Sequence, residues 1–135
     1  MKFEKLANDF FENLDKLEFG ELEKYVLGVL KQHEFYETAH VAFSDGGIPS
    51  GTTSRKAYYS PQLEATAVIE LSQDWDDYYD YESNQIEYRD FYHIRVYLYS
   101  ANKPFTDNDL YFLGDYTDDM IFSYSRNDYN DRYVE

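Results

Sequence analysis

Carboxylates and tyrosines are interleaved in one short segment of this 135-residue chain. The segment holds five carboxylates among nine residues, in the order Asp74, Trp75, Asp76, Asp77, Tyr78, Tyr79, Asp80, Tyr81 and Glu82. Closely spaced carboxylates can bind Ca²⁺, but an EF-hand loop needs acids or amides at alternating positions, a glycine at the sixth and a glutamate at the twelfth. Counted from Asp74, Tyr78 breaks the alternation, and Tyr79 and Gln85 replace the glycine and the glutamate. We therefore expect no metal site here.

A pair of glycines has the spacing found in phosphate-binding P-loops. Four residues separate Gly46 from Gly51, as in that motif. The motif then requires Lys followed by Ser or Thr, whereas Thr52 and Thr53 stand at those positions. We therefore expect no bound nucleotide and no other cofactor.

The third candidate for chemistry is a group of ionisable residues around His93. Arg95 and Glu87 lie on the same side of a predicted strand as His93, with Arg89 and Asp90 nearby. Such a group can supply an acid, a base and an anion-binding side chain. Charge pairing between strands on a solvated sheet face is the simpler interpretation. We therefore expect no catalytic residues, and a small enzyme remains an alternative.

The charge of the chain favours a binding function. Twenty-seven acidic residues face twelve basic ones, and residues 67–135 carry sixteen of the acids but only five of the bases. Twelve of the sixteen tyrosines also lie in that half. A net charge of −15 argues against direct binding to nucleic acid or anionic lipid, which favour clustered Lys and Arg. A basic protein is the expected partner.

Mimicry of the DNA backbone is one way to use such a surface, with carboxylates occupying the positions of phosphates. It requires acids spread along an extended face, because duplex DNA carries about one charge per 1.7 Å of its axis. Tyrosine adds contact area at low entropic cost. Glu87 and Asp90 extend the acidic spread. The predicted partner-binding residues are Asp74, Trp75, Asp76, Asp77, Tyr78, Tyr79, Asp80, Tyr81, Glu82, Asp115, Asp118 and Asp119.

These features predict a non-enzymatic inhibitor that binds the basic, nucleic-acid-handling surface of a nuclease or CRISPR effector. In composition the chain resembles the small acidic inhibitors of phages and mobile elements, including anti-CRISPR and anti-restriction DNA mimics, although no family motif matches. An immunity protein that neutralises one bacterial toxin is the first alternative. A small enzyme and a phage structural protein are the others.

The compartment is inferred from what the sequence lacks. There is no cysteine, which is compatible with a reducing cytosol. No apolar run approaches the roughly 20 residues of a membrane span, and the first residues do not resemble a signal peptide. We expect a protein of the cytoplasm of a bacterium or of a phage-infected one.

Two helices are predicted at the start of the chain. Apolar residues recur every three or four positions between Lys2 and Leu17 and again between Leu22 and His33, which indicates helices with one buried stripe. Joined by a short turn, they predict a helical hairpin over residues 1–34. A third, short helix capped by Thr106 or Asp107 is favoured over a strand for residues 106–113.

Four strands are predicted after the hairpin. Alternation of period two begins near Thr38 and recurs over residues 63–72, 86–99 and 120–125. The sequence assigns residues 45–56 and the segment from Asp74 to Glu82 to the connections between strands, and residues 127–135 to a surface tail. We predict a single α+β domain, in which the helical hairpin packs on one face of a four- to five-stranded, mainly antiparallel sheet over residues 38–126.

Overall fold

The computed structural model describes residues 6, 13–45, 50–80, 82 and 84–134 of the chain. For residues 45, 50, 75–80, 85–91 and 129–134 it describes the backbone only. Within these residues the chain forms an α+β fold, in which a helix packs against a five-stranded antiparallel sheet.

Helix α1 spans Phe19–Gln32 and confirms the second predicted helix. Its apolar stripe is buried against the sheet and consists of Leu22, Val26, Val29 and Leu30. The helix ends where Glu34 takes a left-handed conformation, with a φ of 62°. The amide of Phe35 then donates to the carbonyl of Leu30 at 3.0 Å, which satisfies one of the last helical carbonyls.

The first predicted helix lies largely outside the described residues. Leu6 is helical and fully buried. At the end of the predicted range, Leu14–Lys16 form a 3₁₀ turn and Leu17 is extended, with a φ of −91° and a ψ of 150°. The helical prediction is therefore wrong at Leu17, where the chain leaves the turn before α1.

Five strands form one sheet, and each pairs with the next in the chain, in the order β1-β2-β3-β4-β5. Their bounds are Tyr36–Asp45 for β1, Ser50–Ser60 for β2, Ala65–Asp80 for β3, Gln85–Ser100 for β4 and Met120–Val134 for β5. All four pairings are antiparallel. The sheet is therefore a meander of successive hairpins.

Three segments expected outside the sheet belong to it. Residues 50–56, predicted as part of a loop, pair with strands on both sides as β2. Residues 74–80, predicted as a connection, continue β3 opposite 85–91. Residues 127–134, predicted as a tail, continue β5 opposite 86–93. All three lack a continuous apolar face, and backbone pairing with an adjacent strand holds them in the sheet.

Both faces of the sheet are covered, whereas the sequence predicted one. The face that packs against α1, called the α1 face, carries Ala67, Ile69, Ile94, Val96 and Leu98. The opposite face, called the α2 face, carries a second buried cluster. That cluster consists of Ala39, Val41, Ala57, Val68 and Tyr99 from the sheet, and of Phe105, Leu110 and Leu113 from the segment that covers them.

Helix α2, Asp107–Tyr111, begins that covering segment and confirms the predicted short helix. Thr106 caps it, since its hydroxyl accepts from the amide of Asp109 while the Asp109 carboxylate accepts from the amide of Thr106. A 3₁₀ helix, Leu113–Asp119, follows and leads into β5. Leu110 and Leu113 are buried in the second cluster, so this short segment covers that part of the α2 face.

A bulge separates the two clusters at the start of β5. Leu98 pairs with Phe122 and Tyr99 pairs with Met120, which leaves Ile121 without a partner in β4. Phe122 therefore packs on the α1 face and Met120 on the α2 face. The alternation of period two predicted over residues 120–125 is therefore interrupted at Ile121, because the extra residue shifts the faces by one position.

Candidate partner-binding surface

The acid-rich and tyrosine-rich segment lies on paired strands at the end of the sheet. Positions 74–80 of β3 face positions 85–91 of β4, and β5 pairs with β4 on the other side. We call residues 74–91 the acidic extension, which carries seven acids and one base, Arg89. Its predicted site residues thus share one length of sheet, except that Glu82 lies in the turn and Tyr81 lies outside the described residues.

Strand geometry places these acidic positions along a line. A β-strand rises about 3.4 Å per residue, so positions 74 and 80 lie about 20 Å apart. Successive strand positions alternate between the two faces, so positions 74, 76 and 80 belong to one face and position 77 to the other. An extended row of this kind is the arrangement that backbone mimicry needs, and a compact chelating loop is not.

The remaining predicted site residues form a separate group. Asp115, Asp118 and Asp119 lie on the 3₁₀ helix before β5, and all are exposed. The next residue in the chain, Met120, pairs with Tyr99 of β4, whereas Asp74 pairs with Phe91. Eight residues of strand, about 27 Å, thus separate the two groups, which do not form one cluster.

Two other acids near this 3₁₀ helix have structural partners. The Asp107 carboxylate accepts from the amide of His40 at 3.1 Å and so caps the edge of β1. Asp109 accepts from Thr106 and from the hydroxyl of Tyr116. Burial opposes ionisation of Asp109, but these hydrogen bonds outweigh it and hold the pKa of the carboxyl below its ordinary value. In contrast, Asp115, Asp118 and Asp119 form no ion pair with a described residue.

A charge triad crosses the centre of the α2 face. Glu70 is 5% exposed and accepts from Arg55 Nε at 2.7 Å and from Arg95 Nη1 at 2.6 Å. Arg55 also donates to the carbonyl of Leu110 at 2.7 Å. The hydrogen bond to Glu70 raises the pKa of Arg95. The partner of Arg95 is therefore a buried acid of β3, and the triad joins β2, β3 and β4.

His93 occupies the next position along the α2 face. Its Nε2 lies 3.8 Å from Asp74 Oδ2, and its Nδ1 lies 2.5 Å from Asn127 Oδ1. Glu87 is six residues away on the same strand, about 20 Å along it. His93, Arg95 and Glu87 are thus not a single cluster, and Arg95 is committed to Glu70.

Three exposed aromatic rings lie at the edge of the α2 face, and sequence reasoning missed them. Tyr111 is 52% exposed, Phe112 57% and Phe43 37%. The ring centroids of Phe43 and Tyr111 are 6.1 Å apart, and the Arg55 guanidinium lies 5.1 Å from the Phe43 centroid. We call Phe43, Tyr111 and Phe112 the aromatic patch. In the sequence, Leu110 and Leu113 flank Tyr111 and Phe112. Because both leucines are buried, the two aromatic residues between them lie on the outside of the segment.

Comparisons with protein-family models, curated proteins and solved structures found no match to this chain. None of the helices in the described part of the chain has the length and apolar character needed to cross a lipid bilayer. The fold and its surfaces are therefore the basis for any functional argument.

Proposed function

We propose that this protein is a non-enzymatic inhibitor that covers the basic, nucleic-acid-handling surface of another protein in the bacterial cytoplasm, as the DNA mimics of phages and mobile elements do. The acidic extension is the observation that supports this most directly. Seven acids and one base lie on two paired strands and the turn between them, and the strands spread the acidic positions over about 20 Å. The target belongs to the class of nucleases and CRISPR effectors.

The surroundings of the acidic extension agree with a binding role. Among the side chains that the structure describes, the cluster on the α1 face reaches Ile94 and Leu71, which border the acidic extension. Residues of the acidic extension can contact a partner while the two apolar clusters that stabilise the fold keep their packing. Electrostatic attraction would speed association and select basic targets.

Capture from a bacterial lysate tests the proposal. The immobilised protein is exposed to lysate at about 0.1 M salt, and bound proteins are then challenged with about 1 M salt or with duplex DNA. Screening lengths fall from about 10 Å to about 3 Å over that range, so salt should release the partners. Duplex DNA should release them too, because a mimic and DNA compete for one surface.

A matched pair of variants locates the binding surface. Replacing Asp76, Asp77 and Asp80 with Asn removes three charges from the acidic extension and should abolish capture. Replacing three exposed acids elsewhere, Glu18, Glu21 and Glu37, with Gln changes the net charge equally and should leave capture intact.

The proposal fails if captured proteins resist both salt and DNA, or if both triple variants behave alike. Capture of a single nuclease whose gene neighbours that of this protein would instead identify an immunity protein.

A further inference from the structure

A small cavity lies on the α2 face, between the sheet and the 3₁₀ helix Leu113–Asp119. Its volume is about 180 Å³, roughly six times the volume that a water molecule occupies in the liquid. The polar part of its lining consists of Arg55, Glu70, Tyr97 and Tyr99 from the sheet, and of Gly114 and Thr117 from the 3₁₀ helix. The cavity therefore opens directly onto the charge triad.

Hydrogen-bond donors without acceptors gather at this cavity. Tyr99 is 1% exposed, yet its hydroxyl and that of Tyr97 form no hydrogen bond within the described part of the chain. Burial raises the pKa of Tyr99 to about 12, so its hydroxyl is protonated and can donate at neutral pH. Of the five N–H groups of Arg55, the contacts to Glu70 and to the Leu110 carbonyl use only two. Buried donors of this kind call for an acceptor.

The acceptors that line the cavity already have donors. One oxygen of Glu70 accepts from Arg55 at 2.7 Å and the other accepts from Arg95 at 2.6 Å. The Gly114 carbonyl accepts from the hydroxyl of Thr117 at 2.9 Å. An occupant that supplies several acceptor oxygens would therefore complete the hydrogen bonding of the cavity.

The charge at the cavity is positive, in contrast to the chain as a whole. Arg55 and Glu70 are the only charged groups among the described residues that line it. Arg95 bonds to Glu70 from outside the lining, so two guanidinium groups face one carboxylate and the triad carries a net charge of about +1. A negatively charged occupant would balance that charge.

We infer that this cavity binds one small oxyanion of the size and chemistry of phosphate, held by Arg55 and by the hydroxyls of Tyr97 and Tyr99. The cavity is smaller than the roughly 300–1,000 Å³ pockets that hold drug-sized ligands, so it admits one such group and little else. Free phosphate and the terminal phosphate of a larger molecule share this chemistry. The inference goes beyond the proposed function, because it uses no residue of the acidic extension.

Other occupants fit the cavity less well. Water would satisfy the tyrosine hydroxyls but would leave the excess guanidinium charge unbalanced, and a cation would face Arg55. The exposed acids of the 3₁₀ helix, Asp115, Asp118 and Asp119, oppose an approaching anion. Salt at about 0.15 M screens them over about 8 Å, so binding is best measured at that ionic strength.

Titration of the ¹⁵N-labelled full chain with inorganic phosphate tests the inference. Sodium phosphate replaces sodium chloride at constant ionic strength and pH 7, and amide shifts are followed. We expect saturable shifts at Arg55, at Tyr97 to Tyr99 and at residues 113–117. A sugar monophosphate is titrated in the same way. Similar shifts with it indicate a site for a phosphate carried by a larger molecule, and shifts with inorganic phosphate alone indicate a site for the free anion.

Two tyrosine variants that each lose one hydroxyl form a matched pair. Tyr99→Phe keeps the ring in the apolar cluster and removes the buried donor, so the Kd for phosphate should rise about tenfold, as expected for the loss of a hydrogen bond to a charged group. Tyr111→Phe makes the same chemical change on an exposed ring outside the cavity lining and should leave the Kd unchanged. Circular dichroism of each variant checks that the fold is retained.

A third variant tests the sign of the charge without changing the lining. Arg95→Gln removes the guanidinium that balances Glu70, so that Arg55 and Glu70 then cancel each other. The Kd for phosphate should rise at least about fivefold, although Arg95 does not line the cavity. A site for water or for a cation predicts no such weakening.

Three outcomes would overturn the inference: shifts that do not saturate, saturable shifts centred away from the cavity, or a Kd that neither Tyr99→Phe nor Arg95→Gln raises. These outcomes leave the proposed function intact, because the acidic extension can still capture a basic target. Conversely, a lysate without a DNA-displaceable partner would refute the proposed function, while saturable binding of phosphate would keep the oxyanion site.

Discussion

Replacing Glu70 with Gln is a small chemical change that should lower the free energy of unfolding substantially. The Glu70→Gln variant keeps the shape of the side chain, removes its charge and leaves one acceptor oxygen for two guanidinium groups. Hydrogen bonds to charged groups contribute about 1.5–3 kcal/mol each. The bond from Arg55 counts in full, since that side chain is 21% exposed. The bond from Arg95 is discounted for solvent, since that side chain is 38% exposed.

The expected cost follows from these two contacts. Through its uncharged oxygen, glutamine can retain one hydrogen bond from a guanidinium, of about 1 kcal/mol, so the net loss is about 2–3 kcal/mol. With a urea m-value of about 2 kcal/mol per molar for a domain of this size, the unfolding midpoint should fall by about 1–1.5 M. Arg95→Gln should cost less, about 1 kcal/mol, because Glu70 keeps its bond to Arg55.

Urea unfolding followed by far-ultraviolet circular dichroism measures this loss. Glu64→Gln is the control, because Glu64 is exposed in the turn between β2 and β3 and its replacement should leave the midpoint unchanged. A free energy of unfolding for Glu70→Gln within about 0.5 kcal/mol of the wild-type value would refute the view that the triad stabilises the sheet. A double variant with Arg95→Gln should cost less than the sum of the single changes, because the two residues share a contact.

Four further predictions concern packing and titration. Gly51→Ala should destabilise the fold by about 1–3 kcal/mol, because a Cβ there would lie 2.9 Å from the Gln73 carbonyl and against the Asp74 carboxylate; thermal unfolding would show it. Gly28→Ala should stabilise α1 by up to about 1 kcal/mol, since nothing lies within 4 Å of the added atom, and a lower melting temperature would contradict this. The lowered pKa of Asp109 means that its contribution to stability is present above pH 3.8 and is lost as the pH falls through the folded-state pKa; Asp109→Asn should therefore flatten the acid limb of a stability profile. Burial raises the pKa of Tyr99 to about 12, so its contribution is complete below pH 10 and is lost as the pH rises towards 12, and Tyr99→Phe should reduce that alkaline loss in the same profile.

The elements with clear periodicity were predictable from sequence. Helix α1 and the part of β4 from Tyr92 to Leu98 carry unbroken apolar stripes, and the structure confirms both elements. The capping pattern at Thr106 also identified helix α2. In each case the local signal agrees with the tertiary environment, so propensity and packing lead to one answer.

In the strand segments that were not predicted, local propensity and packing do not favour the same structure. Residues 50–56 contain Gly, Ser and Thr and bury little apolar surface, so their strand structure depends on neighbours on both sides. The backbone of Asp74 to Asp80 is likewise held by pairing with β4. Sequence patterns report side-chain burial, whereas these segments are fixed by backbone hydrogen bonds to distant residues.

A single apolar residue in the sequence pattern of β3 indicated that the second face is covered. Val68 interrupted the polar side of its strand, and the structure shows it fully buried under the segment that contains α2. One apolar residue could not reveal that cover. Glu70, two positions later, also lies on the polar side of this strand and is buried between two arginines. Of the candidate site, the acidic residues were predictable from composition, but their division into two groups depends on the register of β4.

The meander has a consequence for how the length of this protein can change. Because every strand pairs only with its neighbours in the chain, residues at the far end of β3, β4 and β5 can be lost or gained in matched sets, such as 76 with 89 and 131, without rerouting any connection. The covered part of the sheet, with its two apolar clusters, would keep all of its contacts. The length of the acidic extension can therefore change independently of the stability of the fold. Insertion or deletion at this end of the sheet could fit the acidic extension to targets of different size.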